Sequence, residues 1–191
     1  TYYMPRLIRE FQDRYPGIKV QVKINTTAVV EKELLDGKLD LALVGGTIQS
    51  EHIVAEPLFY EKYTAICALE HPMAGKTVLL EEFMKEPLLF REKSSGAYEV
   101  FQSAVNQTGL TVTPVWESIS QTTLMEAVHY GLGVTILPEQ MIKREIREGR
   151  LAQITFSDFS FQNTIHIAYH HSKYLSPSIK NFILLIKTLG F

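Results

Sequence analysis

The chain has 191 residues, a hydrophobic fraction of 46% and a net charge of −2, which together predict a folded protein with a substantial core. The sequence has no run of Lys or Arg and a pI near 6.3, so it lacks the basic surface that binds nucleic acid. A single Cys67 excludes an intrachain disulfide, and no apolar stretch approaches the roughly 20 residues of a membrane span. We therefore expect a cytoplasmic protein with no membrane association.

The first predicted element is an amphipathic helix. Pro5 lies in its first turn, where a missing N–H costs little, and Pro16-Gly17 ends it. One face carries the apolar residues Met4, Leu7, Ile8, Phe11 and Tyr15. Because an α/β lobe usually opens with a strand, we expect a first strand, and with it a further domain, to be missing ahead of Thr1.

The stretch Ile18 to Val44 predicts a strand, a loop, a helix and a second strand. Apolar residues alternate with polar ones from Ile18 to Ile24, which is typical of a strand with one buried face. Thr26 and Thr27 open the helix, and Leu39 to Val44 is apolar enough to form a buried strand. Two strands joined in this way should run parallel, with a right-handed crossover.

Two further predicted strands, Ile53 to Phe59 and Tyr63 to Leu69, precede the best candidate for a domain boundary. That boundary is the turn Glu70 to Gly75, where several turn-forming residues follow one another. We therefore predict a first lobe of residues 1–69 and 169–191, and a second lobe of residues 70–168.

The second lobe repeats the plan of Ile18 to Val44. Val112 to Glu117 is a predicted strand, a loop and a helix follow, and Leu132 to Leu137 is a buried strand. A strand around Ile165 to Tyr169 carries the chain back to the first lobe, where Ser176 caps a final helix. The regular alternation of strands and helices predicts an α/β fold with two Rossmann-like lobes.

The sequence contains no catalytic or cofactor signature, so we expect neither an enzyme nor a bound cofactor. It lacks G-x-S-x-G, H-E-x-x-H, C-x-x-C and the glycine-rich phosphate and dinucleotide loops. His166 and His170 would share one side of a strand but lie roughly 13 Å apart, too far to bind one metal ion. We therefore predict no metal site, and we interpret Cys67 and Trp116 as core residues.

The informative feature is a set of hydroxyl-rich loops, each of which follows the carboxyl end of a strand and opens a helix. Ligands bind at that edge of open parallel sheets, and helix N-termini offer unpaired N–H groups to an anion. The alternative is that each loop only caps its helix. Recurrence in both lobes favours a ligand cleft between them. The candidate binding residues are Thr26, Thr27, Ser94, Ser95, Gly96, Ser120, Gln121 and Thr122.

Several segments resemble the effector-binding domain of LysR-type transcriptional regulators. They are YYMPRLIREFQDRYPGIKVQVKI, TTAVVEKELLDGKLDLALVGG, EHPMA, LFREKSSG and EAVHYGLGVTILP, and together they cover almost the whole chain. The combination of DGKLDLAL, EHPMA and GLGVTILP is specific to this family, although each segment alone is weak evidence for it. The resemblance implies the two-lobed fold of type 2 periplasmic binding proteins.

The resemblance also implies a cytoplasmic bacterial regulator that senses a small, often anionic effector and assembles into dimers or tetramers. DNA would be bound only by an N-terminal winged helix-turn-helix, which this chain does not contain. Thr27, Ser95 and either Ser120 or Gln121 correspond to the family's ligand-facing hydroxyls. Thr1 stands near the Ser/Thr position that follows the family's first strand. The alternative is a solute-binding protein of a transport system, and a helix-turn-helix or a signal sequence upstream would decide between the two.

Overall fold

The computed structural model describes residues 3–189, which form seven helices and eight strands. The candidate residue Thr1 lies outside the described residues. The helices are α1 (Met4–Arg14), α2 (Thr27–Leu35), α3 (Leu80–Phe83), α4 (Gly96–Asn106), α5 (Gln121–His129), α6 (Glu139–Arg147) and α7 (Pro177–Leu189). The strands are β1 (Ala42–Val44), β2 (Ile53–Cys67), β3 (Thr77–Val78), β4 (Leu89–Arg91), β5 (Trp116–Ser118), β6 (Thr135–Pro138), β7 (Ala152–Phe156) and β8 (Gln162–His170).

The chain divides into two compact units, unit 1 (Thr1–Phe59 and Thr164–Phe191) and unit 2 (Tyr60–Asn163). The sequence placed the borders after residues 69 and 168, whereas the division falls after residues 59 and 163. This difference has a physical reason. Both β2 and β8 continue through a border as one strand, so no turn or break in the amino-acid pattern marks it.

Unit 1 packs three helices on a small antiparallel sheet. In that sheet β1 pairs with β8, with Ala42 opposite Ala168. Two adjacent residues of β8 point to different clusters, because successive side chains of a strand lie on opposite faces. Ile167 packs with buried residues of α1 and α7, while Ala168 packs with those of α2. Each face of this sheet therefore has its own hydrophobic cluster.

The predicted strand at Ile18 to Ile24 is wrong as a paired strand. The structure assigns no strand to residues 18–25, and their predicted parallel partner is reduced to β1, which pairs antiparallel with β8. Val22 and Ile24 are 44% and 63% exposed, although Ile18 and Val20 pack on the core of unit 1. An alternating pattern predicts which side chains share a face, but a strand also needs a hydrogen-bonded neighbour.

The two strands predicted at Ile53 to Phe59 and Tyr63 to Leu69 are a single strand, β2. The polar run between them suggested a break. In the structure Tyr60 and Lys62 are exposed on one continuous strand instead. At its far end Cys67 is fully buried, as expected for a core thiol, and burial raises its pKa to about 11.

Unit 2 contains a short parallel sheet in which β4 is the central strand. β4 pairs with β5 in parallel, with Arg91 opposite Ser118. On its other side Leu88 forms a parallel bridge with Val134, just before β6. β6 then pairs antiparallel with β2, β2 with β7, and β3 joins β7 in parallel.

The core of unit 2 lies on both faces of β4. Leu88 and Phe90 belong to one cluster, with Phe101 and Val105 of α4, while Leu89 belongs to the cluster of α5 and α6. β5 and β6 are shorter than the predicted strands. Trp116 is 39% exposed, so its interpretation as a core residue is wrong.

The start of the last helix follows the prediction. The Ser176 hydroxyl accepts a hydrogen bond from the Ile179 N–H at 3.3 Å, and Pro177 is the first residue of α7. Within residues 3–189 the structure contains no helix both long and apolar enough to cross a membrane.

Candidate functional site

Two of the predicted hydroxyl-rich loops meet at one edge of the unit 2 sheet. Because Arg91 lies opposite Ser118 in parallel strands, the carboxyl ends of β4 and β5 lie side by side. The loop of Ser94 and Ser95 leaves the first strand, and the loop of Ser118 to Ser120 leaves the second. Each leads directly into a helix, α4 or α5. The structure thus brings both N-termini to the same edge.

Ser95 and Ser120 each cap a helix. The Ser95 hydroxyl accepts a hydrogen bond from the Tyr98 N–H at 3.3 Å, and the Ser120 hydroxyl accepts one from the Thr123 N–H at 3.2 Å. Ser95 is only 4% exposed, so its capping hydrogen bond is buried. The remaining N–H groups of each first turn lack helical partners by geometry and can donate to an anion.

Other side chains of these loops make no such cap. Ser94 and Thr122 are exposed, and within the described residues neither hydroxyl has a hydrogen-bond partner in the protein. Gln121 is half-buried as the first residue of α5, and Gly96 is the first residue of α4. These side chains and the Gly96 N–H are therefore available to a ligand, because none of them makes the capping hydrogen bond of its helix.

The charged side chains at this edge are paired with each other. The Arg91 guanidinium donates two hydrogen bonds to the Glu92 carboxylate, from Nε at 2.8 Å and Nη2 at 2.9 Å. Lys93 Nζ lies 3.9 Å from Glu117 Oε1. Both cations thus already have a carboxylate neighbour. The site offers hydroxyl and N–H donors more than free positive charge, which suits a small anion better than a polyphosphate.

Sequence reasoning missed Ser118 and the Arg91–Glu92 pair as parts of this edge. The Ser118 hydroxyl accepts a hydrogen bond from the Ser120 N–H at 3.0 Å and contacts the Ser120 carbonyl oxygen at 3.2 Å, so it shapes the turn before α5. The Ser-Ile-Ser spacing is a signal that could have pointed to this turn. An Arg-Glu dipeptide at a strand end carries no comparable signal.

In unit 1, Thr26 and Thr27 stand at the start of α2. Thr26 has the extended backbone of an N-cap residue, yet its side chain makes no capping hydrogen bond. The alternative that this loop only caps its helix therefore fails for the Thr26 side chain, and Thr26 is half-buried. The grouping of these two threonines with the loops of unit 2 stays a prediction.

Unit 1 also contains a groove of about 1140 Å³. Residues 18–25 form one wall and residues 34–43 the other, while Thr26 and Thr27 do not line it. This groove was not anticipated from the sequence as a cavity.

The histidine rings near the end of β8 stack on one another. His170 stacks with His171 and His52, with ring centroids 4.8 and 6.3 Å apart, and the Ser172 N–H donates to His170 Nδ1 at 3.2 Å. Within residues 3–189 no group of three His, Cys, Asp or Glu side chains is arranged to hold a metal ion.

Comparison with known proteins gives consistent matches over nearly the whole chain. A model of the LysR substrate binding domain matches residues 1–190. The HTH-type transcriptional activator CmpR of Synechocystis is 29% identical over 188 residues, which are 95% of this chain and 60% of that protein. The HTH-type transcriptional regulator YwqM of Bacillus subtilis, described as uncharacterized, is 28% identical over 98% of this chain and 64% of its own length. The chain thus spans about three fifths of these relatives.

Solved structures share the fold at lower sequence identity. The effector-binding domain of QuiR in complex with shikimate matches with a TM-score of 0.86 and 18% identity, over 98% of this chain and 90% of that one. The regulatory domain of CcmR from Synechocystis in complex with 2-PG matches with a TM-score of 0.88 and 23% identity, over 98% and 91% of the two chains.

Proposed function

Because the chain belongs to the LysR substrate binding domain family, we propose that it is the effector-sensing part of a bacterial transcriptional regulator. The relatives named above are transcriptional regulators, which favours this function over a transport protein. DNA binding would then belong to the part of the longer protein outside this chain, consistent with a net charge of −2 and no basic run.

The effector in this proposal is a small organic or inorganic anion that binds at the shared edge of β4 and β5. The observation that carries it is the parallel pairing of Arg91 with Ser118, which brings two serine-capped helix N-termini together. Two converging sets of N–H donors favour negative charge, because the partial positive ends of both helix dipoles add there.

Each candidate residue has a separate role in this proposal. Ser95 and Ser120 hold the helix starts in place, while Ser94, Gln121 and Thr122 donate to the effector through their side chains and Gly96 through its N–H. Thr26 and Thr27 of unit 1 are proposed as additional effector contacts, since the Thr26 hydroxyl is not used as a cap. Thr1 is retained as a candidate from the family resemblance alone.

Regulation requires that the effector bind two arrangements of the protein with different affinities. A ligand with equal affinity for both arrangements shifts no equilibrium, however tightly it binds. In the longer protein the arrangements would differ in how its DNA-binding parts are held. We further propose a homodimer or homotetramer, because several large apolar side chains of unit 2 are exposed. A cytoplasmic location is proposed from the family alone.

Isothermal titration calorimetry tests the proposed site. The probes are shikimate, small carboxylic acids, inorganic sulfate and inorganic phosphate, each titrated into the wild-type chain. For any probe that binds, we expect Ser94→Ala and Thr122→Ala each to weaken affinity roughly tenfold or more, because a hydrogen bond to a charged group contributes about 1.5–3 kcal/mol.

The matched control for these variants is Ser103→Ala. Ser103 is an exposed serine in the last turn of α4, away from the strand edge, and its replacement should leave affinity unchanged. Thr27→Ala tests the contribution of unit 1 in the same titrations. Unchanged affinity in both Ser94→Ala and Thr122→Ala would show that the effector binds elsewhere.

A further inference from the structure

The ion pair of Arg91 and Glu92 lies at the edge of the unit 2 sheet where the effector is proposed to bind. Arg91 is the last residue of β4, and its side chain leaves the strand on the same face as Leu89, which packs with α5. The Glu92 carboxylate accepts two hydrogen bonds from the Arg91 guanidinium, at 2.8 and 2.9 Å. A carboxylate of the protein itself therefore already occupies the cation at this edge.

This ion pair uses only part of the hydrogen-bonding capacity of its members. Within residues 3–189 the Glu92 carboxylate accepts hydrogen bonds from Arg91 alone. A carboxylate can accept about four hydrogen bonds and a guanidinium can donate five, so the two bonds between them leave capacity on both groups. The side chains of Arg91 and Glu92 are 23% and 16% exposed, which leaves the pair open to water and to a small ligand.

The backbones of the two residues are fixed, whereas the Glu92 side chain is not. Arg91 belongs to β4, which pairs with β5 on one side and is bridged to Val134 through Leu88 on the other. Glu92 lies just outside the strand, where its backbone carbonyl accepts a hydrogen bond from the Ser95 N–H at 2.9 Å. A rotation of the Glu92 side chain into water therefore breaks the ion pair and leaves the strand pairing and this backbone hydrogen bond in place.

A ligand carboxylate at this edge has more donors available than the Glu92 carboxylate uses. The N–H groups in the first turns of α4 and α5 lack helical partners, and the hydroxyls of Ser94 and Thr122 are exposed. A ligand can accept from these groups and from Arg91 together. In addition, an ion pair between two flexible, partly exposed side chains contributes little stability, because forming it orders both of them. The ion pair is therefore weak enough to be exchanged for a ligand.

We propose that Glu92 is an internal competitor for the effector: its carboxylate occupies Arg91 in the unliganded chain and is displaced by the carboxylate of a monocarboxylic acid. This inference rests on the proposed function and narrows it to one class of ligand. The displaced Glu92 remains next to Arg91 in the chain, so a second negative charge on the ligand is repelled. Because the ligand binds only when Glu92 has turned away, the apparent dissociation constant rises by the inverse of the fraction of chains in that arrangement.

Isothermal titration calorimetry of Glu92→Gln tests the competition. The probes are benzoate and shikimate as monocarboxylates, succinate as a dicarboxylate, and inorganic sulfate. Glutamine keeps the size of the side chain but removes the charge that holds Arg91, so we expect both monocarboxylates to bind roughly threefold to fivefold more tightly than to the wild type. Succinate should bind the wild type more weakly than either monocarboxylate. In a chain that also carries Arg91→Gln, the gain from Glu92→Gln should disappear, because the contested cation is gone.

The matched control is Glu99→Gln, which removes the same charge near the same edge. Glu99 is an exposed carboxylate in the first turn of α4. Its replacement should change affinity by less than about twofold, because water and salt screen an exposed charge. A gain in Glu92→Gln no larger than that of this control would overturn the competition.

Nuclear magnetic resonance distinguishes displacement of Glu92 from binding beside the intact ion pair. Benzoate is titrated into the wild-type chain while the Arg91 Nε–H resonance and the side-chain carboxyl carbon of Glu92 are followed. We expect both signals to shift together, because the guanidinium exchanges one carboxylate for another as Glu92 turns to water. A shift of the Arg91 signal alone, or of neither signal, would overturn the inference.

The inference and the proposed function fail in different ways. If Ser94→Ala and Thr122→Ala weaken the binding of a probe while Glu92→Gln has no effect, the proposed site stands and the competition is wrong. Binding of sulfate without any binding of the carboxylates would have the same meaning. If neither serine nor threonine variant changes the affinity of a bound probe, the proposed site itself is wrong.

Discussion

At the residue scale, Gly133 shows how a motif position can be fixed by close packing. A Cβ atom at this position would lie 2.1 Å from the Pro87 carbonyl oxygen, and the same oxygen accepts a hydrogen bond from the Val134 N–H at 2.9 Å. The two backbones must approach this closely for β4 to pair beside β6. Gly133, the second glycine of G-L-G, is therefore required for the strands to pair, whether or not it has a role in ligand binding.

We expect Gly133→Ala to lower the free energy of unfolding by about 2–4 kcal/mol, because the added methyl group must displace backbone and not a flexible side chain. The matched control is Gly17→Ala, where nothing lies within 4 Å of the added Cβ, and its effect should stay within about 1 kcal/mol. Urea denaturation followed by circular dichroism measures both. A loss for Gly133→Ala as small as that of the control would contradict the close approach.

At the element scale, the helix starts differ in what their hydroxyls do. Ser120 and Ser176 cap α5 and α7, whereas Thr26 stands at the cap position of α2 without a side-chain bond. We expect Ser120→Ala and Ser176→Ala each to destabilise the protein by about 1 kcal/mol, and Thr26→Ala to leave stability unchanged. Urea unfolding of the three variants checks this. A Thr26→Ala chain as destabilised as the other two would contradict the observed difference in capping.

Also at the element scale, Glu56 of β2 connects α7 to the sheet of unit 1 through hydrogen bonds. Its carboxylate accepts hydrogen bonds from the Tyr169 hydroxyl at 2.7 Å and from Lys187 Nζ at 3.0 Å. These bonds, that of Tyr169 first, lower the pKa of Glu56 below its usual value. Because the folded-state pKa is lowered, the stabilisation is present above the ordinary Glu pKa of about 4.3 and is lost as pH falls through the lowered pKa.

We therefore expect Glu56→Gln to be less stable than the wild type at pH 7, by less than about 1 kcal/mol because the pair is partly exposed to water. The difference between the two proteins should shrink as pH falls below about 4.3. Urea unfolding at a series of pH values measures this difference, with Glu51→Gln as the control, since Glu51 is an exposed carboxylate. A difference that grows on acidification would contradict the assigned hydrogen bonds.

At the scale of the whole molecule, the sequence predicted the order of elements better than their pairing. Helical periodicity and caps located α1, α2, α4, α5 and α7, because these signals are local. The continuity of β2 and the shortening of β5 depend on neighbours far along the chain, and the sequence had no signal for them. The parallel pairing of β4 with β5 places the loops of Ser94–Ser95 and Ser118–Ser120 at one edge of the sheet, while the predicted convergence with Thr26–Thr27 stays a prediction. The role of Ser118 in the turn before α5 was missed, although the Ser-Ile-Ser spacing is a signal for such a turn.

At the scale of the whole molecule, we also predict that the chain associates with itself through unit 2. Large apolar side chains near β5 and after α5 are exposed: Val115 by 70%, Ile119 by 80%, Tyr130 by 77% and Leu132 by 50%. Single exposed apolar residues are ordinary, but several close together in the chain are typical of an interface.

We expect the 1–191 chain to associate with itself, and Ile119→Asp to raise the dissociation constant roughly tenfold or more, because a charge in a buried contact costs more than about 1 kcal/mol. Sedimentation velocity over a range of concentrations measures this constant. Tyr174→Asp is the matched control, since Tyr174 is 78% exposed on unit 1. Equal weakening by both substitutions would place the interface elsewhere, and a wild-type chain that stays monomeric at every concentration would contradict association through these residues.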